Sequence, residues 1–198
     1  MENFDKLPSW SEPSLTYAGI GSRKSGEACC PDTGKPILQC MKEIAQYLEA
    51  KGYILNSGGA IGADQAFESG VRSQLKKQIF FASDATPLTR AIAKELHPAP
   101  QVLKGYPLDL MARNTYQIFG RNLDTPVDFV LCWTPDGCQS HTSRTRATGG
   151  TGQAIDMASR KGIPIINMAN KGWRQKLVYL LMSRACKAEN GKIKGKSR

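Results

Sequence analysis

Three glycine-rich segments constrain this chain more than any other feature. Two directly follow a short apolar run: Leu15-Thr-Tyr-Ala-Gly-Ile20 leads into Gly21-Ser22-Arg23, and Tyr53-Ile-Leu-Asn56 leads into Ser57-Gly-Gly-Ala-Ile-Gly62. The third, Gly149-Gly150-Thr151-Gly152, is separated from Val127-Asp-Phe-Val-Leu-Cys-Trp133 by a long polar loop, 134–148. A short apolar run bounded by turn residues suits a strand buried on both faces of a parallel sheet. Glycine lets the chain turn sharply after such a strand and lie close to a ligand. The amides that open a following helix then face outward, and the helix dipole favours an anion there.

The remaining pattern alternates in the same way. Pro36 opens a helix carrying Ile37, Met41, Ile44, Ala45 and Leu48 at helical spacing, and Lys51-Gly52 ends it. Helices are predicted over 63–72, from Thr86-Pro87 to Leu96, over 109–122, from the third glycine turn to Arg160, and over 173–186. Further strands are predicted over 78–82 and 163–167, and an exposed loop over 24–35. The alternation of strands and helices predicts an α/β chain: a Rossmann-like parallel sheet with helices on both faces, folded as a single domain. That domain is placed at 15–186, after an N-terminal extension at 1–14 and before a basic, flexible tail at 187–198.

Charge narrows the partners. The chain holds 27 basic and 17 acidic residues, a net charge of +10. This balance suits an anionic partner, either a phosphorylated small molecule or nucleic acid. No apolar run approaches the roughly 20 residues of a membrane span. The first residues lack the charged and apolar regions of a leader, so a cytoplasmic location with no membrane partner is expected. The six cysteines include no C-x-x-C pair, so reduced structural thiols are expected rather than a metal site. No cofactor is expected, and a homo-oligomer is. None of the glycine segments continues into Gly-Lys-Ser/Thr, and none completes G-x-G-x-x-G. ATP hydrolysis and hydride transfer are therefore disfavoured.

The candidate site residues follow from position. Gly19, Gly21 and Ser22 belong to the first turn. Arg23 directly follows it and suits a phosphate. Ser57, Gly58, Gly59 and Gly62 form the second turn, and Gly149, Gly150, Thr151 and Gly152 the third. Asp64 and Glu68 stand four apart on one helix face. There they can hold ribose hydroxyls, or serve as a first-turn acid and a surface residue. Arg113-Asn114 lies on a helix among Met111, Tyr116, Ile118 and Phe119, an unusual setting for an arginine. Trp133 ends its strand near the rim, to stack on a base or to pack in the core. The loop at 134–148 carries Arg144 and Arg146 and suits either a lid over an anion or a mobile loop. His97 and His141 are isolated and read as structural or surface residues.

Tyr17-Ala-Gly-Ile-Gly-Ser-Arg23, Ser57-Gly-Gly-Ala-Ile-Gly-Ala-Asp64 with Phe67-Glu68, and Gly149-Gly-Thr-Gly152 resemble the motifs of the SLOG superfamily. The resemblance covers roughly residues 15 to 168 and is nearest to the DNA-processing-A-like proteins, many of them phage-encoded. It implies a site for a nucleotide-derived, phosphorylated ligand. One use it implies is sequestration of a host immune signal such as a cyclic ADP-ribose or cyclic oligonucleotide. A second is single-stranded DNA binding, as in recombination mediators. The lonely-guy phosphoribohydrolases are similar more distantly. Their P-G-G-x-G-T-x-x-E pattern lines up with Thr148 to Asp156, with Gln153 in place of the threonine and Asp156 in place of the catalytic glutamate. Their functional arginine lines up with Arg113. That likeness implies an N-glycosidase with Asp156 and Arg113 as catalytic residues. The departures from the pattern favour a binder over an enzyme.

Overall fold

A computed structural model describes residues 2–7 and 15–194, and of 187–194 the backbone alone. Five strands form one fully parallel sheet: β1 (Thr16–Gly21), β2 (Ile54–Ser57), β3 (Lys77–Ile79), β4 (Phe129–Trp133) and β5 (Ile165–Asn167). Seven α-helices surround it: α1 (Glu2–Asp5), α2 (Ile37–Ala50), α3 (Ala63–Gly70), α4 (Pro87–Leu96), α5 (Gly105–Phe119), α6 (Thr151–Arg160) and α7 (Trp173–Lys194). The single-domain α/β reading is thus the observed fold. No helix among the described residues is long and apolar enough to cross a membrane.

The strand order is β3-β2-β1-β4-β5. Chain order therefore reverses between β1 and β4, where a doubly wound sheet opens a crevice outside the carboxyl ends of its strands. The pleat divides β1 and β4 between two cores. Tyr17, Phe129 and Leu131 face α2, α3 and α7 with Met41, Leu48, Phe67 and Trp173. Ala18, Ile20, Val130 and Cys132 face the other way, onto Ile92, Ile118, Phe119 and Ile155. Burial on both faces explains why the strands read as continuous apolar runs rather than alternating ones.

Several boundaries differ from those predicted. Helix α5 starts at Gly105, not at 109, because Pro107 needs no amide partner in a first turn. Helix α3 stops at Gly70, where a Cβ would stand 2.3 Å from the Lys42 carbonyl oxygen. The segment 24–35 is not wholly exposed. Ser25 and Cys30 are buried, and the Trp173 indole donates to the Cys30 sulfur (3.3 Å). The described residues 2–7 of the N-terminal extension pack on the domain. Phe4 and Leu7 enter the second core, and the Lys161 ammonium lies 5.0 Å from the Phe4 ring centre. Helix α7 runs past its predicted end at 186 to Lys194, into the tail expected to be flexible. The tail's last four residues lie outside the described residues.

Candidate functional site

At the first turn the glycines serve packing before ligand. A Cβ on Gly19 would stand 2.7 Å from Leu55 Cδ1 and 2.8 Å from Phe67 Cγ. One on Gly21 would stand 2.6 Å from the Ala63 Cβ. Helix α3 therefore rests directly on β1, as only glycine permits. The Ser22 amide donates to the Trp133 carbonyl (3.0 Å) at the point where the strand order reverses. The Ser22 hydroxyl accepts from the Lys24 amide (3.2 Å). Arg23 projects into solvent.

The second turn is occupied by its own carboxylates. The Gly58 amide donates to Asp64 (3.2 Å). The Gly59 amide (2.9 Å) and the Ser57 hydroxyl (2.6 Å) both donate to Glu68 Oε1. Glu68 Oε2 has no partner among the described residues. Gly62, at φ +98°, lets the chain enter α3 against the Arg23 backbone. Asp64 and Glu68 thus act as internal anions, filling amides that a phosphate would otherwise take.

Helix α5 ties the second turn to the third through two consecutive residues. Arg113, only 6% exposed, crosses the carboxyl edge of β2 to reach Asp64 at 3.4 Å. It lies so close over Gly58 that a Cβ there would fall 1.0 Å from Nη1. Burial pushes the Asp64 carboxyl up to about 6, against the lowering effect of Arg113 and of the Ala60 and Gly58 amides. The Asn114 amide donates to the Gly150 carbonyl (3.4 Å).

The third turn keeps its donors. Gly149 sits at φ +63°, Gly150 precedes α6, and Thr151 begins it. Among the described residues, no acceptor takes the Gly149, Gly150 or Thr151 amides. Both glycines are exposed. Gly152 is buried, and a Cβ on it would stand 2.8 Å from Arg144 Nε.

Arg113 and Asp156 are each committed to other partners. Asp156 is 4% exposed, with Arg144 on one oxygen (2.7 Å) and Arg160 Nε on the other. Both oxygens are thus engaged by guanidiniums in a buried setting, which leaves the carboxylate little access to a substrate.

Arg144 also fixes the loop at 134–148. Asp136 completes the fixing, accepting from the Thr145 hydroxyl (2.6 Å) and from that of Thr148. Burial would raise the Asp136 carboxyl, but these bonds, with Thr134 and the Cys138 amide, hold it at about 2. The loop is latched rather than loose, and Arg146 stays exposed at its end. Trp133 belongs to the core and offers no open face. His141 shares a 2.9 Å contact with the Ser159 hydroxyl, and His97 accepts from the Ala99 amide (3.1 Å), both local roles.

Two features escaped the sequence reading. A groove of about 530 Å³ runs beside the first two turns between α2 and α3, with Arg23, Lys42, Gln39, Gln65 and Ile61 in its lining. Lys42 gave no signal in sequence because it looks like any solvated helix residue. Phe81, just after β3, is 56% exposed, and its ring edge stands 3.5 Å from where a Gly59 Cβ would be. It reads as the end of an apolar strand, and only the tertiary fold turns it outward over the second turn.

No protein-family model, curated protein or solved structure matches the chain.

Proposed function

We propose that the carboxyl rim of the sheet binds a nucleotide-derived, phosphorylated small molecule and holds it without cleaving it. The observation that carries this reading is the contrast between the glycine turns. The second is filled by its own carboxylates, whereas the third presents exposed, unengaged amides at the start of a ten-residue helix. Such amides, with the helix dipole behind them, suit a phosphate. Arg146 and Arg23 add positive charge around the rim, and Glu68 suits a sugar hydroxyl. Sequestration of a cyclic ADP-ribose or cyclic oligonucleotide signal is the use that fits binding without turnover.

Gly150→Leu tests the phosphate site. Gly150 has φ −62°, which any residue adopts, and its nearest neighbour is the flexible end of Met111 at 3.0 Å. The fold should therefore survive while the side chain blocks phosphate approach. Losing one charge-assisted hydrogen bond corresponds to roughly 10- to 150-fold in affinity. Calorimetry with nucleoside monophosphates and cyclic dinucleotides should show at least that loss. Unchanged affinity refutes the site.

Asp156→Asn separates binder from hydrolase. A working carboxylate contributes about 10²–10⁴-fold to rate. Chromatography should return every nucleotide intact from both the wild-type and the substituted protein. Free base released by the wild type alone would establish the N-glycosidase instead.

The open, basic groove between α2 and α3 favours one second reading, a single-stranded DNA contact. That reading requires retention on filters at low salt and a steep loss of it as salt rises.

A further inference from the structure

Phe81 stands just after β3, beside the second glycine turn. Its backbone is fixed, because its amide donates to the Asp84 carboxylate (2.7 Å) in the turn after β3. Phe80 beside it points inward, stacked on Tyr116 at 5.8 Å and covered by Arg121 at 5.2 Å. Phe81 therefore faces out, 56% exposed, with its ring edge over Gly59. Ile61 on the same turn is 72% exposed. Glu68 reaches this turn from below through the Gly59 amide, with Oε2 unengaged.

Helix α5 brings the second and third turns together. Gly58 packs on Arg113 and the Gly150 carbonyl on Asn114, so the second and third turns flank one point of α5. The loop at 134–148 carries the third turn away from β4, and consecutive residues of α5 hold it beside the second. A base over Gly59 and a phosphate at Gly150 can belong to one nucleotide.

We propose that Phe81 is a stacking platform for the nucleobase of the ligand, with Glu68 Oε2 accepting from a sugar hydroxyl. This rests on the nucleotide-binding reading and names the part of the ligand that the glycine turns do not recognise. An aromatic face stacks on any base, so the platform provides affinity for the base while tolerating its identity.

The test is calorimetry with the four nucleoside monophosphates and with ribose 5-phosphate, on the wild type, Phe81→Ala and Phe81→Tyr. The wild type is expected to bind the monophosphates more tightly than ribose 5-phosphate. Phe81→Ala should weaken the monophosphates by about 5- to 150-fold, the range for removing one stacking partner. It should leave ribose 5-phosphate unchanged, and Phe81→Tyr should retain wild-type affinity. Monophosphate binding that survives Phe81→Ala intact overturns the platform while sparing the phosphate site. Equal losses for monophosphates and ribose 5-phosphate also overturn it, because the residue would then shape the turn rather than touch the base. If the wild type binds neither class, the nucleotide reading falls and the platform falls with it.

Discussion

Gly58→Ala is expected to destabilise the protein by about 2–4 kcal/mol at neutral pH, although Gly58 lies outside both hydrophobic cores. Its new Cβ would fall 1.0 Å from Arg113 Nη1, so Arg113 must leave Asp64 or the turn must open. Overpacking alone costs about 1–3 kcal/mol. The lost ion pair adds a smaller, pH-dependent amount, because Asp64 can take a proton instead of remaining a bare buried anion. Burial has already raised its folded pKa to about 6, from an ordinary value near 3.8. A carboxyl raised on folding stabilises the native state below its unfolded pKa, and that contribution is lost as pH rises through the folded pKa. The window is therefore about pH 4 to 6. On acidification from pH 7 to 5 the wild type should gain stability relative to Asp64→Asn, and the penalty of Gly58→Ala should shrink. A double-mutant cycle checks the cause. With Arg113→Met in the background, Gly58→Ala should cost about 0.5–3 kcal/mol less than it does alone. Additive denaturation free energies would show that the glycine serves something other than the arginine.

Arg184→Met is expected to cost about 3–4 kcal/mol, the lower part of the range for breaking a buried ion pair from one side. Arg184 on α7 pairs with the Asp128 carboxylate just before β4, and its Nη2 donates to the Asp128 carbonyl (2.8 Å). Both side chains are buried, and the Tyr53 hydroxyl also donates to Asp128 (3.4 Å). Methionine keeps the packing volume and removes the charge. The carboxylate must then stay ionised without its guanidinium or take up a proton. Protonation at pH 7 of a group with ordinary pKa near 3.9 costs about 4 kcal/mol, which sets the ceiling. The penalty should shrink as pH falls toward 4. Urea denaturation at pH 7 and pH 5 measures it, and a loss under 1 kcal/mol at pH 7 would mean that α7 does not hold the sheet through this pair.

Both predictions concern charges whose environment the sequence did not disclose. The sequence determined the architecture, because local physics sufficed. Apolar runs such as 127–133 can be satisfied only by burial on both faces, and Pro36, Thr86-Pro87 and Gly52 mark helix ends by what their backbones permit. It also located the three turns and singled out Arg113 as an arginine in an apolar setting. It was blind to how the turns divide the work. Asp64 and Glu68 look like surface acids until α3 brings them back onto the amides of the preceding turn. Asp156 resembles a free carboxylate until the loop at 134–148 lowers Arg144 onto it. Gly19 and Gly58 read as ligand glycines, yet Phe67 and Arg113 fill the space that their missing side chains leave. Phe81 counts as core in any strand pattern, and only the ending of β3 at Ile79 turns it outward. Strand and helix periods arise from neighbours in sequence. Which donor meets which carboxylate at the turns is decided by pairs from 6 positions apart, as Gly58 and Asp64, to 49 apart, as Arg113 and Asp64, brought together only when the sheet closes.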